Sequence, residues 1–205
     1  MTYGKNNFVY TKENGSFIIL NTFLVDAELE YDAPTITCPC PPECHRCIDA
    51  CPNHAILAPG RLHPQSCILY SNHVNKGVIP LELREGLGTC IHGCDICQLV
   101  CPRNQPVLKK AARKDMFIEA LKKDFDLEKV LVLDEAYYRD VVHPIMYNYI
   151  RDLDLFRRNA AIALGNTGDV SHIPALEKAL ATSANPIVRD AAQWAIERLT
   201  KAVNN

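Results

Sequence analysis

Apolar positions recur at three- and four-residue spacing over the last third of the chain, and there they predict helices. Leu153 to Leu164 forms one, with Gly165 as its expected stop. Ser171 to Ala181 forms a second, with Pro174 in its first turn. Asn185 caps a third, whose stripe is Ile187, Ala191, Ala195, Ile196 and Leu199. Trp194 on this helix is expected in the core rather than as a ligand platform. Upstream, Asp115 to Lys123 and Asp134 to Tyr149 carry weaker helical spacing in a charged connector. At the start, Asn7 to Thr11 and Ser16 to Val25 are β-rich runs around Glu13-Asn14-Gly15, a hairpin signal. Phe17-Ile18-Ile19-Leu20 is too continuous for an exposed hairpin and is expected to be buried. Nothing before it supplies a partner, so the segment reads as the last piece of a larger domain.

Residues 35–105 follow neither period and are dense in Pro and Cys. Cys44, Cys47, Cys51 and Pro52 repeat the spacing of Cys94, Cys97, Cys101 and Pro102, C-x2-C-x3-C-P, with Cys40 and Cys90 four positions ahead of each run. Two such runs are the pattern of a pair of 4Fe-4S clusters, in which the Cys before Pro ligates the cluster of the other run. Spacing alone gives a symmetric answer. Cys40, Cys44 and Cys47 with Cys101 hold one cluster; Cys90, Cys94 and Cys97 with Cys51 hold the other. Cys67 competes with Cys90, and spacing does not decide between them. Beside Ile68, Leu69 and Tyr70, Cys67 also reads as a buried thiol. Zinc is the competing metal, because C-x2-C pairs also build structural zinc sites, although these seldom need the x3-Cys-Pro ending.

Composition narrows the setting. The chain has 205 residues, 48% hydrophobic, with net charge -2, so it holds a core and has no global drive towards nucleic acid or an acidic membrane. No apolar run reaches spanning length and no signal-peptide pattern is present, which makes a cytoplasmic protein the expectation. Ten Cys in that compartment point to metal rather than disulfides. The fold class expected is α+β: a ferredoxin-like two-cluster module (35–105) with an N-terminal β-hairpin remnant (1–34), a helical connector (106–150) and a C-terminal α-helical HEAT-like domain (151–205). His45 lies inside the first run and His92 beside the second, and both are expected to be exposed; the other His residues show no ligand spacing.

Five segments together resemble the C-terminal portion of epoxyqueuosine reductase, a cobalamin-dependent iron–sulfur enzyme of queuosine-tRNA biosynthesis. They are Gly4-Lys5-Asn6 with Gly15-Ser16; Cys-His-Arg-Cys-Ile-Asp-Ala-Cys-Pro at 44–52; Cys67-Ile68 with Tyr70; Gly-Cys-Asp-Ile-Cys-Gln-Leu-Val-Cys-Pro-Arg-Asn at 93–104; and Arg-Asn-Ala-Ala-Ile-Ala-Leu-Gly-Asn at 158–166. Arg157 to Asn166 and Ile173 to Leu180 also resemble a HEAT-type repeat. The resemblance implies that Cys67 ligates the second cluster. The ligand sets become Cys40, Cys44, Cys47 and Cys101 for the first cluster, and Cys51, Cys67, Cys94 and Cys97 for the second. Cys38 and Cys90 are then extra thiols. The leading spacing departs from the family's C-x2-C, since position 41 is Pro.

The resemblance further implies cobalamin beside the second cluster, contacted from Tyr70, Gly93, Asp95 and Ile96. Asp95 reads equally as a loop carboxylate accepting backbone N–H bonds. The family's proton-donating acid lies in a region upstream of the matched one, so no catalytic residue carries over. The expected function is thus the electron-transfer portion of an epoxyqueuosine reductase-like oxidoreductase, inactive by itself. It would be served by an electron donor protein and completed by a cobalamin-binding domain. The family's basic stretch before the Arg-Asn-Ala helix is absent here, which weakens tRNA as a partner; Arg157 and Arg158 follow it, and a solvated helix face explains them as easily as phosphate contact. A stand-alone two-cluster electron carrier, a related corrinoid reductase with another substrate, and a zinc-stabilised scaffold are the competing readings.

Overall fold

A computed structural model describes residues 2–33, 40–110, 114–146 and 151–203. The chain divides into two compact units, each discontinuous in sequence: Met1–Pro64 with Asp95–Arg113, and Gln65–Cys94 with Lys114–Asn205.

The first unit contains little regular structure. β1 (Thr2–Tyr3) pairs antiparallel with β2 (Val9–Tyr10), Thr2 opposite Tyr10, and β3 (Ile56–Ala58) pairs with β4 (Arg61–Leu62). Two four-residue helices, Arg46–Asp49 and Ile96–Leu99, lie against each other. Each follows the first Cys of its run and stops just before the Cys-Pro step. Their ends have nearly the same backbone: Ala50 at φ -79°, ψ -7° and Val100 at φ -80°, ψ -8°. The sequence twin is therefore a conformational twin.

The expected hairpin is shorter and placed earlier than the apolar pattern suggested. Only a single bridge, Thr11 to Gly15, follows β2, and the chain from Phe17 to Ala33 forms neither strand nor helix. Among the described residues nothing covers the run expected to be buried: Ile19 is 88% exposed and Leu20 58%, as a segment whose partner the chain itself does not supply would be.

The second unit is helical around Leu153–Thr167, which packs against Pro186–Val203 and Leu127–Leu131, while Ile173–Thr182 packs on Pro186–Val203. Leu155, Phe156, Ile162, Leu164, Leu176 and Leu199 are fully buried. Caps follow the sequence: the Asp152 carboxylate accepts the Asp154 N–H at 2.9 Å, and Asn185 Oδ1 accepts that of Ile187 at 3.0 Å. Pro174 occupies the first turn of its helix, where it loses no intrahelical bond. Asp115 caps Met116–Leu121. The expected helix over 134–149 is instead Glu135–Tyr137, a π turn Tyr138–Val142 and His143–Ile145, with residues 147–149 outside the described ones.

Gly165 does not stop its helix. The helix runs on to Thr167 and ends at Gly168, in the left-handed region at φ 76°. Gly165 is there for close approach: a Cβ on it would lie 2.8 Å from both Cα and Cβ of Ala195. Trp194 is half-buried rather than in the core, with the Arg84 and Arg198 guanidiniums 5.6 and 5.5 Å from its ring. Among the described residues no helix is long and apolar enough to cross a membrane.

Gly165→Ala should destabilise the protein by about 1–3 kcal/mol in denaturant titration, because the neighbour is backbone and cannot swing aside. A gain of up to about 1 kcal/mol, the helix-propensity effect alone, would show that the helices do not approach this closely.

Candidate metal centre

Three of the four sulfurs expected on the first cluster, those of Cys40, Cys44 and Cys101, line one surface cavity of about 580 Å³ in the first unit. Cys47 is buried, 9% exposed. Burial pushes its thiol pKa up, and the sulfurs of Cys40, Cys101 and Cys44 push it further. The four are thus gathered closely enough to feel one another's charge. Four thiols from one module are the donor chemistry that a 4Fe-4S cluster takes, and Cys-x2-Cys pairs also take zinc.

The loops bearing these sulfurs are held by the opening residues of the chain. The Lys5 N–H donates to Cys40 Sγ at 3.4 Å, and Lys5 Nζ donates to the carbonyls of Pro41, Pro42 and Cys44 at 2.8, 2.8 and 2.7 Å. The Tyr10 hydroxyl donates to Cys101 Sγ at 3.2 Å, and Asn6 Nδ2 donates to the Tyr10 oxygen at 3.1 Å and to the Cys97 carbonyl at 3.3 Å. Burial first, and then the bond to Cys101, push the Tyr10 phenol pKa above its ordinary value. Gly4 lets the ring lie this close, since a Cβ there would sit 2.6 Å from it.

Behind the second run, Asn104 Nδ2 donates to Ser16 Oγ at 2.7 Å and to the Gln98 carbonyl at 2.8 Å; Ser16 Oγ donates to Gln98 Oε1 at 2.8 Å. Gly15, at φ 58°, abuts the Asn104 amide, where a side chain has no room. The Gly-Lys-Asn and Gly-Ser segments, read from sequence only as marks of resemblance, are the braces of the Cys loops. Tyr10 was missed altogether, and only its place six residues after Gly4 in a β-rich run could have hinted at it.

In the second unit, Cys67, Cys90 and Cys94 are half-buried. Ile68 beside Cys67 is buried, but Leu69 is exposed and Tyr70 half-buried at the head of a π turn Tyr70–Val74, so the apolar wall expected there is incomplete. Asn72 ties the turn to the second run: its Nδ2 donates to the Gly93 carbonyl at 2.9 Å and its Oδ1 accepts the Gly93 N–H at 3.1 Å. Gly93 itself is left-handed at φ 70°.

The repeat helix clamps the same loops. Arg158, 1% exposed, donates to the carbonyls of Ser71, Asn75 and Gly77, each at 2.7 Å. Asn159 Nδ2 donates to Asn72 and Ile91 carbonyls at 2.7 and 2.8 Å, and Asn166 Nδ2 to those of Arg84 and Gly88 at 2.8 and 3.0 Å. Burial lowers the Arg158 pKa to about 10, so it remains a cation at neutral pH. Arg157, half-buried, bonds Asp154 and the Leu133 carbonyl. The solvated face weighed for these two arginines is thereby overturned. So is the expected exposure of His92, which stacks on Phe156 with ring centroids 5.4 Å apart and whose pKa burial lowers to about 4. His45 is exposed as expected, beside Asp49.

Of the second expected quartet, Cys51 and Cys97 belong to the first unit and Cys67 and Cys94 to the second. The Ala55 N–H donates to Cys51 Sγ at 3.2 Å. Of the residues expected beside cobalamin, Tyr70 and Gly93 are in the second unit, Asp95 and Ile96 in the first. Asp95 is exposed; its carboxylate accepts from Gln98 Nε2 at 2.5 Å and caps no helix. Cys38 lies outside the described residues.

Residues 40–104 match the family described as a 4Fe-4S double cluster binding domain, and residues 129–197 match the HEAT repeats. The chain is accordingly an iron–sulfur protein with a helical-repeat domain. It is 35% identical over 200 residues to the epoxyqueuosine reductase of Lactococcus garvieae, a match that covers 96% of this chain and 54% of that protein. The structure of epoxyqueuosine reductase from Streptococcus thermophilus superposes with a TM-score of 0.82 at 29% identity, over 98% of this chain and 52% of the other. A crystal structure of epoxyqueuosine reductase with an epoxyqueuosine-modified tRNA-Tyr stem loop superposes at 0.77 and 28% identity, over 98% and 55%. The chain is similar to epoxyqueuosine reductases over nearly its whole length, and it spans about half the length of the curated relatives it matches.

Arg158→Met should cost roughly 2 kcal/mol or more, since it strips donors from buried carbonyls. Hydrogen exchange should speed up in residues 71–93 while the repeat helices stay protected. Unchanged exchange in that loop would show that Arg158 does not hold it.

Proposed function

We propose that this chain is the electron-transfer half of an epoxyqueuosine reductase-type oxidoreductase. Cys40, Cys44, Cys47 and Cys101 hold one 4Fe-4S cluster; Cys51, Cys67, Cys94 and Cys97 hold a second. The observation that carries the reading is three cysteines, Cys40, Cys44 and Cys101, lining one cavity with Cys47 buried close by, inside a segment that matches a double-cluster domain. Bound clusters would accept and release electrons one at a time, and the residues of this chain set where they sit. Lys5 and Tyr10 fix the sulfurs of Cys40 and Cys101, while Asn72 and Asn159 shape the loop that leads into Cys94.

The electrons come from a donor protein and serve reduction of the epoxide in epoxyqueuosine-modified tRNA. The relative solved with such a tRNA stem loop supports that substrate. Arg157 and Arg158 take no part in phosphate contact on this reading, because both are committed to groups within the chain. Cobalamin rests on the family resemblance. Tyr70, Gly93, Asp95 and Ile96 offer nothing that singles out a corrinoid, and no step is built on it.

Anaerobic reconstitution should give about eight iron and eight sulfide per chain. Cys101→Ala should lose about half of both, and Cys90→Ala should lose neither. Zinc without sulfide would refute the reading; full loading of Cys67→Ala with loss in Cys90→Ala would exchange the two ligands.

A further inference from the structure

Resting on the two-cluster reading, we propose that Tyr10 is a positioning residue for the electron. Its hydroxyl bond to Cys101 Sγ raises the reduction potential of the cluster bound by Cys101 and so draws the first electron towards that cluster. Three observations carry this. The Tyr10 hydroxyl lies 3.2 Å from Cys101 Sγ, and the residue is 3% exposed, so the donor is withdrawn from solvent. Asn6 Nδ2 donates to the Tyr10 oxygen at 3.1 Å, which occupies a lone pair and leaves the hydroxyl hydrogen for sulfur; the alternative acceptor, Asn6 Oδ1, is farther away at 3.5 Å. Asn6 is itself fixed, donating to the Cys97 carbonyl at 3.3 Å and accepting the Phe8 N–H at 3.3 Å.

The physical consequence follows from charge. When an oxidised cluster takes one electron, the added negative charge spreads onto its sulfurs, and a donor aimed at one of them stabilises the reduced form more than the oxidised form. In a buried site that difference is large, because the surroundings screen it weakly. Cys51, assigned to the other cluster, receives a backbone N–H from Ala55 at 3.2 Å. The Tyr10 bond comes from a side chain, so it can be removed without changing the backbone of the Cys loops. No proton is transferred: the electron comes from the reductant, and Tyr10 keeps its hydrogen.

The test is a potentiometric titration of the reconstituted chain with dithionite, followed by electron paramagnetic resonance. Tyr10→Phe should lower one of the two couples and leave the other in place. The expected size is about a tenfold change in how the first electron divides between the clusters, about 59 mV for a one-electron couple. Iron and sulfide should stay at the level of the unmutated chain. 3-Fluorotyrosine at position 10, a stronger donor of nearly the same volume, should move the same couple upwards, and it serves where the Phe variant fails to assemble. Two loaded clusters with unchanged potentials in the assembled variants would overturn the proposal while leaving the cluster reading intact. Absence of clusters from the unmutated chain would overturn the reading beneath it.

Discussion

Three cysteine sulfurs at one cavity, with a fourth buried close by, cannot all lose their protons unless a cation shares the space. Like charges a few ångströms apart oppose one another, and burial opposes each of them again, as the raised Cys47 pKa shows. Iron removes both penalties. The rest of the first unit depends on that exchange, because little else holds it. Its helices in the Cys runs are one turn long, below the length at which a helix is stable by itself, and its strands are two or three residues. Its buried side chains include Asn6, Ser16, Gln98 and Asn104, polar groups that brace loops instead of an apolar core. Metal binding and folding are one event in such a unit.

The second unit works by the opposite logic. Leu153–Thr167 is buried along most of its length, and this rigid helix reaches outward with amides and a guanidinium. Arg158, Asn159 and Asn166 terminate on backbone carbonyls between Ser71 and Ile91, where loops lack a ladder of their own. The Arg-Asn-Ala-Ala-Ile-Ala-Leu-Gly-Asn signature thus combines core residues, a glycine for close helix approach and three loop clamps.

The repeat helices and the cysteine runs were legible because each rests on a local rule. Helical spacing, Asn185 and Pro174 mark their own positions, and C-x2-C-x3-C-P fixes the same backbone twice. Long-range partners were not legible. Gly165 read as a stop because a helix end is glycine's commonest helical duty, and only Ala195 on another helix shows its true one. Arg158 read as solvated or phosphate-facing because charge run and buried clamp look alike in sequence. Phe17 to Leu20 read as buried against a partner outside the run, and the sequence does not disclose which surface covers them. Lys5 and Tyr10 carry no motif of metal binding, since they touch sulfur rather than iron.

The central claim is that this chain gathers its thiolates around two clusters of four irons. Native mass spectrometry of the protein reconstituted without air measures this directly. The account predicts a species heavier than the bare chain by two Fe4S4 units, with no disulfide among the described cysteines. A species carrying zinc ions alone, or one that keeps the bare mass after reconstitution, would contradict it.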